Sequence, residues 1–215
     1  MTEPGSKAIR CVLASGNQGK LAELSGTLAD LGIELVSQSE FSVTEADENA
    51  STFIENSLIK ARHASTSTGL CAMADDSGLV VPALNGEPGI RSARYAATPD
   101  GTESIKPTDQ DNIDKLLDVL KPLPPEARAA YFVCALVFLR HAKDPEPVIA
   151  TGLWHGHILS EPDGDGGFGY DPVFYCPGQQ MSAAAMGKEK KSAISHRAIA
   201  LAELKHKLLQ STLQP

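Results

Sequence analysis

The chain has 215 residues, of which 42% are apolar, enough to bury a full core as one larger domain or as two lobes without a separable linker. Charged residues make up 21% and the formal net charge is −8, so no basic field invites a nucleic-acid polymer or an anionic membrane. The longest apolar run, AAYFVCALVFL at 129–139, falls far short of the roughly 20 residues of a spanning helix, and MTEPGSKAIR lacks the apolar core of a secretion signal, which predicts a cytoplasmic protein.

Ile9–Ala14 reads as a buried strand, SGNQGK at 15–20 as a loop, and Leu21, Leu24, Leu28 and Leu31 recur at helical spacing up to Gly32. A second strand, IELVS at 33–37, gives way to the acidic stretch TEADENAS. Thr52 and Glu55 then form a capping box for the helix FIENSLIKARHAS, which Gly69 ends. LCAMA reads as a third strand that stops at DDSG, followed by a short LVVPAL run and the turn-rich NGEPGIRSARYA. Asp109–Lys121 is a predicted helix with Ile113, Leu116, Leu117 and Leu120 on one face, broken by KPLPP.

Residues 128–140 and 147–159 read as long strands joined by HAKDPEP in a hairpin. After DGDGGFGYDP come a strand, VFYC, an alanine-rich helix near 181–186, and a last helix from Ser195 with Ala198, Leu201, Leu204 and Leu208 facing inward. Cys11, Cys71, Cys134 and Cys176 lie far apart, with no C-x-x-C pair, and read as buried thiols rather than zinc ligands or disulfides. The alternation predicts a mixed α/β fold, an elongated central sheet with helices packed against it.

Four stretches carry chemistry. SGNQGK fails the Walker A test, because only Asn17 and Gln18 separate Gly16 from Gly19-Lys20 and Leu21 follows the lysine. Two readings remain: a phosphate nest in which Ser15 and Asn17 donate hydrogen bonds and Lys20 supplies charge, or a plain strand-to-helix turn with a solvated lysine. ADDSG at 74–78 sets two carboxylates on opposite faces of an extended chain. One can serve Mg²⁺ or take a proton from water, with Glu45–Glu48 completing the metal site; a strand-end Asx turn and a solvated acidic loop explain the same residues.

In DGDGGFGYDP at 163–172, Phe168 between glycines can lie flat against a planar ligand, base stacking being worth roughly 1–3 kcal/mol per base, or the aromatics can tuck into the core. KEKKSAISHR at 188–197 gathers lysines, a histidine and an arginine in an otherwise acidic chain, so that Lys191 can reach phosphate and His196 and Arg197 a ligand carbonyl; a solvated start of a helix is the plainer alternative. Together the four point to a nucleotide–Mg²⁺ site.

These residues resemble the inosine triphosphate pyrophosphatase family, also called dITP/XTP pyrophosphatases. SGNQGK is similar to that family's [ST]-G-N-x-x-K opening, and FIENSLIKA, ADDSGL, PGIRSARY, GGFGYDPVF and KSAISHR follow in the family's order, spanning residues 11 to about 205. The resemblance implies one domain over 1–215, an α/β sheet in two lobes with a nucleotide cleft between them, and a homodimer. It implies that Ser15, Gly16, Asn17, Gln18, Gly19 and Lys20 hold the triphosphate, that Asp76 is the catalytic acid–base residue and a metal ligand, and that Glu48 is the second metal carboxylate. Ser77 is then expected beside the substrate, Phe168, Gly169, Tyr170 and Asp171 around base and sugar, and Lys191, His196 and Arg197 on phosphate and base.

The implied reaction is Mg²⁺-dependent hydrolysis of ITP, dITP or XTP to the monophosphate and pyrophosphate, which clears non-standard purines from the nucleotide pool. Two rivals stand beside it. One is a nucleotide pyrophosphatase with a pyrimidine preference, against which PGIRSARY and SHR argue. The other is a nucleotide-sensing module without turnover, against which the intact pair Asp75-Asp76 argues.

Overall fold

The computed structural model describes residues 8–97 and 106–211. Its strands are β1 (Ile9–Leu13), β2 (Ile33–Ser37), β3 (Cys71–Val80), β4 (Ala129–Leu139), β5 (Val148–Ile158), β6 (Phe174–Cys176) and β7 (Met181–Ser182). They hydrogen-bond in the order β2-β1-β3-β4-β5-β6-β7, with β1 parallel to both β2 and β3 and β6 antiparallel to β5 and β7. The helices are α1 (Gln18–Ala29), α2 (Phe53–Thr68), α3 (Asp109–Leu120), α4 (Lys188–Ile194) and α5 (His196–Gln210). The predicted mixed α/β class holds. None of the helices among the described residues is long and apolar enough to cross a membrane.

The described residues divide into two compact units, one built from 8–76, 134–152 and 199–211, the other from 77–97, 106–133 and 153–198. In the first unit, Cys11, Leu13, Met73, Leu136 and Phe138 of the sheet are buried against Leu24 and Leu28 of α1 and Leu201, Leu204 and Leu208 of α5. The helical leucines recur every three or four residues because only that spacing keeps one stripe on the sheet. Val12, Ala72, Ala74 and Val137, whose side chains alternate with that set, form a second core with Ala61 and Ala64 of α2. Small residues dominate this α2 face, and its buried positions include Asn56, Ser57 and Ser65.

Local chemistry sets the helix ends. Asn17 caps α1, its Oδ1 accepting from Lys20 N at 3.1 Å. Thr52 caps α2, its Oγ1 accepting from Glu55 N at 3.2 Å, and Gly69 closes the helix in the left-handed conformation. The capping box is only half formed, because the Glu55 carboxylate accepts from the Thr52 hydroxyl at 2.8 Å. No disulfide joins the four cysteines; Cys11, Cys134 and Cys176 are buried and Cys71 is half-buried.

In the second unit, Leu116 and Leu120 of α3 pack with Leu79, Phe132, Trp154, Val173, Phe174 and Met186. Here β5 lies so close to β6 that a Cβ on Gly156 would strike the Tyr175 carbonyl oxygen and sit 2.7 Å from Phe174 Cζ. Gly156→Ala must therefore push backbone apart, and we expect it to destabilise the protein by roughly 1–3 kcal/mol, read as a lowered thermal midpoint.

Two expected elements differ. The strand predicted to stop at Ala74 runs on through Asp75 and Asp76 to Val80, because lysine side chains rather than turn-forming backbone bonds satisfy both carboxylates. The alanine-rich helix near 181–186 is absent. Met181 and Ser182 pair with β6 instead, and Ser182 Oγ donates to Asp163 O at 2.6 Å and accepts from Ala185 N at 2.9 Å, tying the stretch down as a turn.

Candidate active site

In the first unit, SGNQGK, the acidic stretch and α2 bring charged side chains to the two carboxylates of β3. Asp75 and Asp76 project from opposite faces of β3 and meet different lysines. Asp75 is buried and pairs with Lys20 at 2.9 Å. Asp76 pairs through Oδ1 with Lys60 at 3.2 Å, and the same ammonium reaches Glu48 Oε2 at 3.0 Å. Asn56, one turn before Lys60 on α2, donates from Nδ2 to Asp76 Oδ2 at 3.3 Å.

Burial, the largest influence on Asp76, raises its carboxyl above the ordinary value, and neighbouring Glu48 adds to the rise. The attraction of Lys60 and the Asn56 hydrogen bond only partly offset it. Burial pulls the other way on Lys60, but Asp76 and Glu48 together hold its ammonium above the usual range. The site thus sets a carboxyl whose hold on its proton is strengthened by burial beside an ammonium group held in its charged form by two carboxylates.

Of the loop residues, Ser15 Oγ accepts from Asn17 N at 3.2 Å, and Asn17 spends its side-chain oxygen on the helix cap. These bonds fix the loop. The amide group of Asn17 and the backbone of Gly16, Gln18 and Gly19 belong to an exposed turn at the start of α1.

The second unit holds the remaining expected residues. Phe168 is 62% exposed, and the Lys191 ammonium lies 4.7 Å from its ring centroid. Asp171 is buried, ion-paired to Lys191, and accepts from Phe168 N at 2.9 Å. Gly169 N donates to Asp109 at 2.6 Å, while Tyr170 turns into the core and donates its hydroxyl to Ser92 O at 2.9 Å. Burial pushes the Tyr170 phenol well above its usual range. Gly167 makes the loop possible: at φ +78 it adopts a left-handed conformation, and a Cβ there would strike the Asp171 carboxylate.

Ser195 ends α4 and caps α5, its Oγ accepting from Ala198 N at 3.3 Å. This places His196 and Arg197 at the start of α5, both buried. His196 stacks on Phe132, with centroids 5.0 Å apart and planes at 17°. Arg197 Nη2 lies 3.5 Å from Ser77 Oγ.

Sequence reasoning missed Asn56 and Lys60, quoting FIENSLIKA only as a motif. The signal was present in their i,i+4 spacing, which puts both on one helix face. That face is the small-residue one turned to the sheet.

A mixed seven-stranded sheet whose third strand presents two carboxylates to two lysines defines an α/β protein with an acidic, lysine-bridged site. Comparison with known proteins makes the class specific. A model of the Ham1 family matches residues 11–207, and the chain belongs to that family. A dITP/XTP pyrophosphatase of Shigella flexneri is 52% identical over 192 residues, covering 89% of this chain and 94% of that one. One from Xanthomonas oryzae pv. oryzae is 53% identical over 197 residues, covering 92% and 96%. The solved HAM1 protein of Coxiella burnetii superposes with a TM-score of 0.87 at 45% identity, covering 94% of this chain and all of the other.

Proposed function

We propose that this protein hydrolyses the non-standard purine nucleoside triphosphates ITP, dITP and XTP to the monophosphate and pyrophosphate. What carries the reading is identity above one half, over nine-tenths of the chain, to relatives named for that reaction.

Among the described residues no group of three His, Cys, Asp or Glu side chains gathers as a metal cluster. Glu48 and Asp76 nevertheless converge on one positive atom, the Lys60 ammonium. Two hard oxygen donors, completed by substrate phosphates, are a usual set for Mg²⁺, so the residues fit that ion. Glu48 and Asp76 would hold it, and when bound it neutralises charge on the phosphate oxygens.

Asp76 takes a proton from the water that attacks between the α and β phosphates, and the bond to the bridging oxygen breaks as pyrophosphate leaves. Lys20, Lys60 and Lys191 supply positive charge to the phosphates. The loop of Ser15 to Lys20 carries the triphosphate, Phe168 offers its exposed ring to the base, and Asp171 and Tyr170 hold the Phe168 loop in shape. Arg197, His196 and Ser77 form the polar set for the 6-carbonyl of hypoxanthine or xanthine. Adenine would leave their donors unpaired, a mismatch that can cost as much as roughly 10⁴-fold. A homodimer in the cytoplasm, acting on free nucleotides rather than nucleic acid, belongs to the same proposal.

Purified protein with Mg²⁺ should release pyrophosphate from ITP, dITP and XTP and little from ATP or CTP, with pyrophosphate and orthophosphate assayed separately. Orthophosphate as the product, or nucleotide binding without turnover, would refute the reaction. A preference for CTP would refute the purine assignment.

A further inference from the structure

Asn56 is 1% exposed and sits inside a helix, where asparagine is a poor choice because its amide competes with the backbone for hydrogen bonds. Both ends of its side chain are engaged. Nδ2 donates to Asp76 Oδ2 at 3.3 Å, and Oδ1 accepts from Ala50 N at 3.1 Å. The amide has one consistent orientation: a backbone N–H must face oxygen and a carboxylate must face the NH₂ group. Ala50 is two residues beyond Glu48, so one buried amide ties the carboxylate on β3 to the segment that carries the second carboxylate.

Lys60 makes a parallel connection, to Asp76 Oδ1 at 3.2 Å and Glu48 Oε2 at 3.0 Å. The two links differ in kind. Lys60 bridges the pair with a positive charge, in competition with any cation that enters, whereas Asn56 is neutral and holds the other oxygen of Asp76. Only the amide link can persist unchanged when a cation sits between the carboxylates.

We propose that Asn56 is a positioning residue for the divalent cation, fixing the orientation of Asp76 and its spacing from Glu48. The proposal rests on the reading of Glu48 and Asp76 as the metal pair. Groups that hydrogen-bond to metal-ligating carboxylates typically govern affinity by about 10–100-fold.

The test is a titration of the full-length protein with Mn²⁺, bound ion being read by electron paramagnetic resonance, beside the Mg²⁺ dependence of ITP turnover. Asn56→Leu keeps the branched shape, at a larger volume, and removes both links; Asn56→Ser, a gentler change, serves if the leucine variant does not fold. In either folded variant the Mn²⁺ dissociation constant should rise by about 10–100-fold. The Mg²⁺ concentration for half-maximal rate should rise in step, while kcat at saturating Mg²⁺ falls much less. A purely structural asparagine would lower the thermal midpoint and leave Mn²⁺ affinity within twofold of wild type, and that result overturns the proposal while the pyrophosphatase reading stands. Wild-type protein that neither binds Mn²⁺ nor hydrolyses ITP overturns both.

Discussion

Asp76→Asn should abolish most pyrophosphate release from ITP while leaving the fold intact. The exchange keeps the size of the side chain and its place on β3, and Asn56 can still donate to the remaining carbonyl oxygen. What disappears is the proton acceptor and the negative charge that faces Lys60 at 3.2 Å. General-base catalysis is worth about 10²–10⁴-fold, so kcat should fall by at least a hundredfold. Stability should change little: burial already opposes the ionised form of Asp76, and a neutral amide removes that penalty together with the ion pair. Steady-state assays with a thermal melt of the same sample decide it. Activity within tenfold of wild type would remove Asp76 from the chemistry. Lost activity with a collapsed melting curve would instead make Asp76 a structural residue.

The β1-loop-α1 opening and the two long strands β4 and β5 were legible because their signals are local: apolar runs, a capping asparagine, leucines at helical spacing. The extension of β3 through Asp75 and Asp76 was not, since the lysines that make it tolerable stand 55 and 16 residues away in the chain. The stretch at 181–186 misled for the same reason. Alanines favour a helix, but pairing with β6 and the bond from Ser182 to Asp163 override the preference. Residue types in the candidate site were readable from motifs, yet their division of labour was not. Nothing in GGFGYDP tells that Tyr170 goes to the core, that Asp171 anchors the loop, and that Phe168 stays exposed.

That division gives Asp171 a large role in stability. Its carboxylate is 3% exposed and does two jobs, pairing with Lys191, itself 16% exposed, and accepting from Phe168 N. Removing one partner of a buried pair strands the other charge and typically costs about 3–5 kcal/mol. Asp171→Ala should therefore lower stability by roughly that amount, which in a protein of this size moves the thermal midpoint by roughly 6–20 °C. Asp171→Asn keeps an acceptor for Phe168 N and should lose less. Replacing both partners removes the stranded charge, so adding Lys191→Met to Asp171→Asn should recover much of the lost midpoint. Activity should not recover with it, because Lys191 is the positive charge stacked beside Phe168 in the proposed substrate site. A double variant no more stable than Asp171→Asn would show that the carboxylate acts mainly through the backbone of the Phe168 loop, and the ion pair would then contribute little to the fold.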